Sequence, residues 1–203
     1  MNTLSKNVAI LALTVVAISS GGAFAMIQDD QAPQITDDGA KIFGHLEIVA
    51  RDADGNIKAY RQTDNLVVTN GLEAAAERLF GADHTTSRAT IEVFDTVGVG
   101  TGTGGAAAGD EVLGTQRAGK LEDGTVATSG TNGAIIGVTF PASGSGSLQN
   151  ASGTVAITES GLFDSTLNAT SASNMFARQT FTAINVGESD TLTVTWTITF
   201  ASA

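Results

Sequence analysis

The most regular pattern of the chain lies between Asp190 and Phe200, where apolar residues alternate strictly with threonines. A strand sends successive side chains to opposite faces, so this alternation predicts a half-buried β-strand. β-branched and aromatic residues also suit a pleated, half-covered surface. We therefore predict a central core strand whose buried face consists of Leu192, Val194, Trp196, Ile198 and Phe200.

Shorter patterns of the same kind, separated by turn residues, predict further strands. They cover residues 42–51, 57–62, 65–69, 90–99, 112–117, 119–128, 134–140, 153–159 and 174–184, in addition to the central strand at 191–200. About nine or ten short strands at such spacing are typical of an antiparallel β-sandwich of the jelly-roll or immunoglobulin-like type, or of a barrel. No internal repeat of fixed period points to a solenoid.

One segment of the predicted domain has helical periodicity. Asn70 is a candidate N-cap with Glu73 as its capping-box partner, and Gly81 is a candidate C-cap. Between the caps, one helical face carries Leu72, Ala75, Ala76, Leu79 and Phe80. We predict a helix over residues 71–80 that packs this face against one face or one end of the sheets.

Residues 1–25 have the order of a secretory signal peptide. Lys6 precedes an apolar run over residues 8–18, and Ala23-Phe24-Ala25 provides a small-x-small cleavage pattern. The run is shorter than the ~20 apolar residues of a transmembrane helix. We expect cleavage before Met26 and no stable membrane insertion afterwards; a retained membrane anchor is the alternative.

Residues 26–41 are acidic and polar, which predicts a flexible N-terminal arm. In exported filament subunits such an arm can instead add a strand to a neighbour's sheet edge. Residues 42–203 are predicted to form a single β-sandwich domain.

The charge balance excludes some classes of partner. The chain has 10 Lys and Arg against 21 Asp and Glu, for a formal net charge of −11. Such a surface repels phosphate backbones and anionic lipid, so we expect no nucleic-acid partner. There is no cysteine, which excludes disulfides and thiolate metal sites.

The candidate metal and catalytic residues are few. Asp52, Asp54 and Asn56 have the spacing of a calcium loop, but Gly55 and Thr63 occupy positions that such a loop gives to other residues. The pattern around Gly55 better predicts a hairpin turn. The only histidines are His45 and His84, too few for a histidine zinc site without carboxylates.

Three further motifs have a structural and a functional interpretation. Glu159 and Asp164 could form a glycosidase carboxylate pair, but the stretch favours a corner in which Glu159 accepts backbone N–H groups while Leu162 and Phe163 pack inward. The glycine-rich residues 100–109 lack the context of a phosphate-binding loop and predict a flexible loop. Asn150 and Asn168 begin possible glycosylation sequons. We predict no catalytic residue, no metal site and no cofactor.

Five segments, in order, resemble a family of tailed-phage virion proteins. They are residues 66–72, 97–102, 158–164, 174–178 and the threonine-alternating strand, within a similarity over about residues 42–201. The resemblance implies a β-rich structural module of phage tails or heads, without catalysis or cofactor. A signal peptide is not normal in that family, which suggests a related module exported by a cell, or a virion protein of a virus that matures at a membrane.

The sequence therefore predicts a non-enzymatic, secreted or cell-surface structural subunit of a filament, appendage or coat. We expect it to form a homo-oligomer or polymer through β-sheet contacts, for which the threonine face is a candidate, although an ordinary solvated sheet face has the same pattern. A virion protein, with other virion or surface proteins as partners, is the alternative. A carbohydrate-binding module is a third hypothesis, for which the chain offers few aromatic residues.

Overall fold

Two five-stranded antiparallel sheets form the framework of the protein. The computed structural model describes residues 40–81, 93–143, 148, 153–164 and 175–202. Its elements are β1 (Ala40–Arg51), β2 (Ile57–Asp64), β3 (Leu66–Val67), α1 (Thr69–Phe80), β4 (Phe94–Gly100), β5 (Gln116–Asp123), β6 (Thr125–Ser129), β7 (Gly133–Phe140), β8 (Val155–Asp164), β9 (Met175–Val186) and β10 (Thr191–Ser202).

The strand order places the threonine-alternating strand at the centre of one sheet. Sheet A has the order β2-β1-β10-β7-β6, and sheet B has the order β3-β9-β8-β4-β5. β10 pairs with β1 along its whole length and with β7 on its other side. The predicted antiparallel β-sandwich with one short helix is confirmed.

Apolar side chains from both sheets meet in one core, which is why the sheets pack face to face. Trp196 of sheet A and Ile157 of sheet B are both fully buried in it. Four of the predicted core residues of β10 are buried: Leu192, Val194, Trp196 and Ile198. The prediction for Phe200 is wrong, since 41% of it is exposed. Phe200 lies beyond Thr199, the last residue of β10 that pairs with β7, so it has a neighbouring strand on one side only, β1.

Two predicted strand boundaries fall elsewhere for tertiary reasons. Residues 112–115 are not in a strand, because the N–H groups of Gly114 and Thr115 donate to the Glu159 carboxylate instead of to a neighbouring strand. The predicted strand over residues 119–128 is divided at Gly124, where the chain passes from sheet B to sheet A. A Cβ at Gly124 would lie 2.8 Å from the Asp95 carbonyl oxygen, so this crossing favours glycine.

The helix forms where predicted, but its start and its packing face differ. Its N-cap is Val68, without a side-chain cap, so the predicted capping box of Asn70 is wrong. Neighbouring backbone replaces the cap, since the Thr69 N–H donates to the Ala108 carbonyl at 2.7 Å. Gly81 ends the helix in the left-handed conformation, as predicted.

The predicted apolar face of α1 points away from the sheets. Leu72, Leu79 and Phe80 are 49%, 64% and 81% exposed, and the buried residues are instead Gly71 and Ala74. A Cβ at Gly71 would lie 2.2 Å from the Phe176 carbonyl oxygen. The helix therefore approaches β9 along its small residues, because only they allow so close a contact.

The outer side of sheet B is covered by a further segment of the chain. The outer side of sheet B carries a second apolar cluster of Val68, Leu113, Phe163 and Met175, with Leu121 packed against it. Leu113 comes from the long segment between β4 and β5, which covers this sheet. As a result the β8 residues from Glu159 to Asp164 are buried on both faces.

Several predictions lie outside the described residues: the signal peptide at 1–25, the arm at 26–39, His84, and the sequons of Asn150 and Asn168. β1 begins at Ala40, so the last residues assigned to the arm belong to a strand. The helix within the described part of the chain is too short and too polar to cross a membrane.

Candidate functional site

The most concentrated chemistry of the described chain is a buried charge cluster around Glu159 on β8. The Glu159 side chain is fully buried, and Oε1 accepts hydrogen bonds from the N–H groups of Gly102 at 2.8 Å and Thr115 at 2.7 Å. Oε2 accepts from the Gly114 N–H at 2.9 Å and from Arg178 Nε at 3.1 Å and Nη2 at 2.7 Å. One carboxylate thus holds both ends of the segment between β4 and β5.

Arg178 on β9 continues this cluster towards the glycine-rich segment. Its Nη1 donates to Asp110 Oδ2 at 2.7 Å and to the Gly105 carbonyl at 3.3 Å, and its Nη2 donates to the Gly104 carbonyl at 3.0 Å. The guanidinium is buried between two carboxylates, the arrangement in which a buried charge is stable. Gly100 belongs to β4, and residues 101–109 form a loop, as predicted, which is anchored at several points.

The environment of Glu159 determines what it can do chemically. Burial raises the pKa of Glu159, but the hydrogen bonds from the Thr115 N–H, from Arg178 and from the other two N–H groups outweigh burial, so its pKa lies below its ordinary value. A carboxylate has about four lone-pair sites, and five donor contacts occupy them. Glu159 is therefore a charged anchor for loops, and its oxygens are not available to a glycoside substrate.

The sequence interpretation of this stretch was correct in chemistry and wrong in geometry. Glu159 accepts backbone N–H groups and Leu162 packs in the core between the sheets, as predicted. Phe163 is also buried, but in the cluster on the outer side of sheet B and not inward as predicted. The predicted corner does not exist, because β8 continues through Asp164. Arg178 was missed as a functional partner, although a charged residue within the apolar start of a strand was a usable signal.

The turn at Asp52 confirms the hairpin interpretation. Asp52 Oδ1 accepts the N–H groups of Asp54 at 3.0 Å and Asn56 at 2.9 Å, and Gly55 has a φ of 84°. The hydrogen bond from the Asn56 N–H lowers the pKa of Asp52 and burial raises it, and with the further bonds from Asn56 and Asp54 the pKa lies below its ordinary value. The carboxylate that calcium would need is thus used by the turn itself.

A small hollow opens beside the end of β2. Its volume is about 200 Å³, and it is lined by Ile42, Phe43, Gly44, His45, Asp64, Asn65, Thr197 and Thr199. His45 Nδ1 lies 3.1 Å from Asp64 Oδ1. The hollow is smaller than ordinary ligand pockets of roughly 300–1,000 Å³. Within the described part of the chain, no three His, Asp or Glu side chains are placed to hold a metal ion.

The outer side of sheet A offers a surface of a different kind. Three adjacent strands, β10, β7 and β6, contain no charged residue at all. Their register places one continuous set of side chains on the outer surface, which we call the neutral face: Thr191, Thr193, Thr195, Thr197, Thr199, Gly133, Ile135, Gly137, Thr139, Thr125, Ala127 and Ser129.

Several residues of the neutral face are exposed. Thr125, Ala127 and Thr139 are exposed, and a Cβ added at Gly137 would meet nothing within 4 Å. The other half of the same sheet surface, on β1 and β2, carries Glu47 and Asp64. On the outer surface of sheet A, the charged residues thus lie on β1 and β2 and not on β10, β7 or β6.

The aromatic residue that a carbohydrate-binding surface would most readily use is not available, because Trp196 is fully buried in the core.

Comparison of the chain with models of protein families, with curated proteins and with solved structures finds no match.

The fold brings together four of the five segments on which the expected resemblance to phage virion proteins rests. They meet around the buried cluster: Gly102, Glu159 and Arg178 each lie in one of them, and Val68 in a fourth donates its N–H to the Phe176 carbonyl at 3.0 Å. These segments build one structural anchor around Glu159.

Proposed function

We propose that this protein is a structural building unit that assembles with copies of itself through the neutral face of sheet A. The observation that carries the proposal is the complete absence of charged residues from three adjacent strands of a chain with a net charge of −11. Protein interfaces are depleted in charged residues at their centres, whereas solvated sheet surfaces usually carry charges.

Physical reasons support contact between two neutral faces. Small side chains such as Thr, Gly and Ala let a second flat sheet approach closely, at a spacing of ~10 Å between stacked sheets. Like charges on the acidic remainder of each copy repel, so the neutral face is the side on which two copies approach at least electrostatic cost. Hydroxyl groups such as those of Thr193 and Thr139, which lie 3.0 Å apart, can also exchange hydrogen bonds with a neighbour.

The finer proposal is an exported subunit of an extracellular filament, appendage or surface coat. It is supported by the signal-like order of residues 1–25 and by the small-residue, β-rich composition. A virion protein is the second candidate, because four of the resembling segments form one structural anchor. Mass spectrometry of shed extracellular material and of purified virus particles separates the two.

A matched pair of variants tests assembly. Thr195→Glu places a charge on the β10 strand of the neutral face, opposite Gly137 of β7 and Glu47 of β1. Gln62→Glu adds the same charge to the other half of the surface, where the new side chain still offers an acceptor to Tyr60 Oη. The control position Gln62 is also paired with Glu47, so both variants introduce the same cross-strand pair of like charges. Light scattering and electron microscopy should show assemblies for the wild type and Gln62→Glu, and their loss in Thr195→Glu with an unchanged circular dichroism spectrum.

The opposite results would contradict the proposal. A wild-type protein that stays monomeric over a wide range of concentration, and forms no polymer visible by electron microscopy, would exclude self-assembly. Equal assembly by Thr195→Glu and Gln62→Glu would exclude the neutral face as the contact.

A further inference from the structure

Strand β6 forms an edge of sheet A, and no strand of the described residues pairs with its outer side. On its inner side β6 pairs with β7 through all five of its residues. Thr125, Val126, Ala127 and Thr128 are exposed, and Val126 remains 55% exposed although it is apolar. An uncovered edge presents unpaired backbone N–H and C=O groups, which can pair with another strand.

The other edges of the described sheets are protected in ways that β6 is not. β2 carries Lys58, Arg61 and Asp64, and β5 carries Glu122 and Asp123. β3 is only two residues long. Natural sheets protect edges with charged residues, prolines, bulges or very short strands, and β6 has none of these.

We infer that β6 pairs antiparallel with β6 of a second copy of this chain, joining two sheets A into one continuous sheet. This inference deepens the proposed self-assembly by naming one of its contacts. A register centred on Ala127 pairs all five residues, since Thr125 then faces Ser129 of the other copy and Val126 faces Thr128. Any other register pairs fewer residues.

A second copy fits this edge better than an unrelated strand for two reasons. The pairing is related by a two-fold axis, so one patch serves both partners, as in most homodimers. The edge is also free of charge, so two acidic chains can meet there without opposing like charges across the ladder. The edge is continuous with the neutral face, so edge and face contacts together would extend an assembly beyond a dimer.

Cysteine cross-linking tests the register, because the chain has no cysteine of its own. In the proposed pairing, Ala127 faces itself across the two-fold axis, with Cβ atoms ~5 Å apart. Ala127→Cys should therefore form a covalent dimer under mild oxidation. Thr125→Cys, on the same strand and face, should not, because its symmetry mate lies four residues away along the ladder.

A charge-swap experiment distinguishes loss of the β6 edge contact from misfolding of the variant. Ala127→Lys and Ala127→Glu should each lose the edge contact, because two like charges would face each other. An equal mixture of the two variants should regain it as a mixed dimer, detected by native mass spectrometry.

Each outcome is decisive for one of the two proposals. Equal cross-linking of Thr125→Cys and Ala127→Cys, or none of either, would overturn the edge pairing. If assemblies persist in that case and are lost in Thr195→Glu, self-assembly through the neutral face still holds. If Ala127→Cys cross-links but the wild type forms no assembly larger than a dimer, the edge pairing holds and the building-unit function fails.

Discussion

Replacing Glu159 by glutamine is the most direct test of what holds this sandwich together. The substitution keeps the shape of the side chain but leaves one acceptor oxygen in place of two. Its new NH₂ group must then face N–H groups of Gly102, Gly114 and Thr115 or the Arg178 guanidinium, all of which are donors. Arg178 also keeps its buried charge with only Asp110 as a carboxylate partner.

The expected loss is large compared with the stability of an ordinary domain. Removing one partner of a buried ion pair costs ~3–5 kcal/mol. Total unfolding free energies are about 5–15 kcal/mol, so about a fifth or more of the stability depends on this carboxylate. For a domain of this size, the loss corresponds to a decrease in Tm of roughly 6–20 °C.

Urea unfolding followed by the fluorescence of Trp196, the single and fully buried tryptophan, measures this loss. The matched control is Glu111→Gln, which removes the same charge from an exposed position of the same segment. It should change the unfolding free energy by less than ~0.5 kcal/mol. Equal losses for Glu159→Gln and Glu111→Gln would refute the assignment of Glu159 as the anchor.

The pH dependence provides a second check with a defined sign. The pKa of Glu159 is lower in the folded protein than in the unfolded chain, so the unfolded state binds protons first as the pH falls. The stabilisation from Glu159 is therefore fully present above its unfolded pKa of ~4.3 and is lost as the pH falls through the folded value. The difference between wild type and Glu159→Gln should shrink in acid; a difference that grows would contradict this reasoning.

Three further predictions each compare two substitutions within the same segment. Gly102→Ala should destabilise the protein by ~1–3 kcal/mol because its Cβ would lie 2.4 Å from Glu159 Oε1, whereas Gly104→Ala, whose Cβ would meet nothing within 4 Å, should be close to neutral in the same urea assay. Trp196→Ala should cost ~3–5 kcal/mol by emptying a core site, and Thr195→Ala much less; equal losses by circular dichroism melts would mean that the faces of β10 are wrongly assigned. Phe80→Ser, at a side chain 81% exposed, should change thermal stability little, while Gly71→Ala should cost ~1–3 kcal/mol by pushing α1 away from Phe176; the reverse order would place the packing face of α1 where the sequence predicted it.

The sequence shows which segments lack charged residues, but only the fold shows that these segments form one surface. Residues 124–158 contain no Asp, Glu, Lys or Arg, and neither do residues 191–203. The two segments are far apart in the chain, and pairing of β10 with β7 makes them one surface. Likewise, the helix pattern correctly located α1, but Gly71 and Ala74 pack while Leu79 does not, because close approach to β9 favours small residues.

The sequence by itself determined the local structure: the alternation of β10, the turn at Asp52, the position of α1 and its end at Gly81. Each depends on neighbours a few residues apart, which share a strand face, a turn or a helical turn. Only the tertiary structure decided which strands share a sheet, that Phe200 lies outside the core, and that Glu159 meets Arg178 and three distant N–H groups. The contacts of Glu159 join residues 19 to 57 positions apart. A pattern of neighbouring residues does not show which distant donor will bind a buried carboxylate.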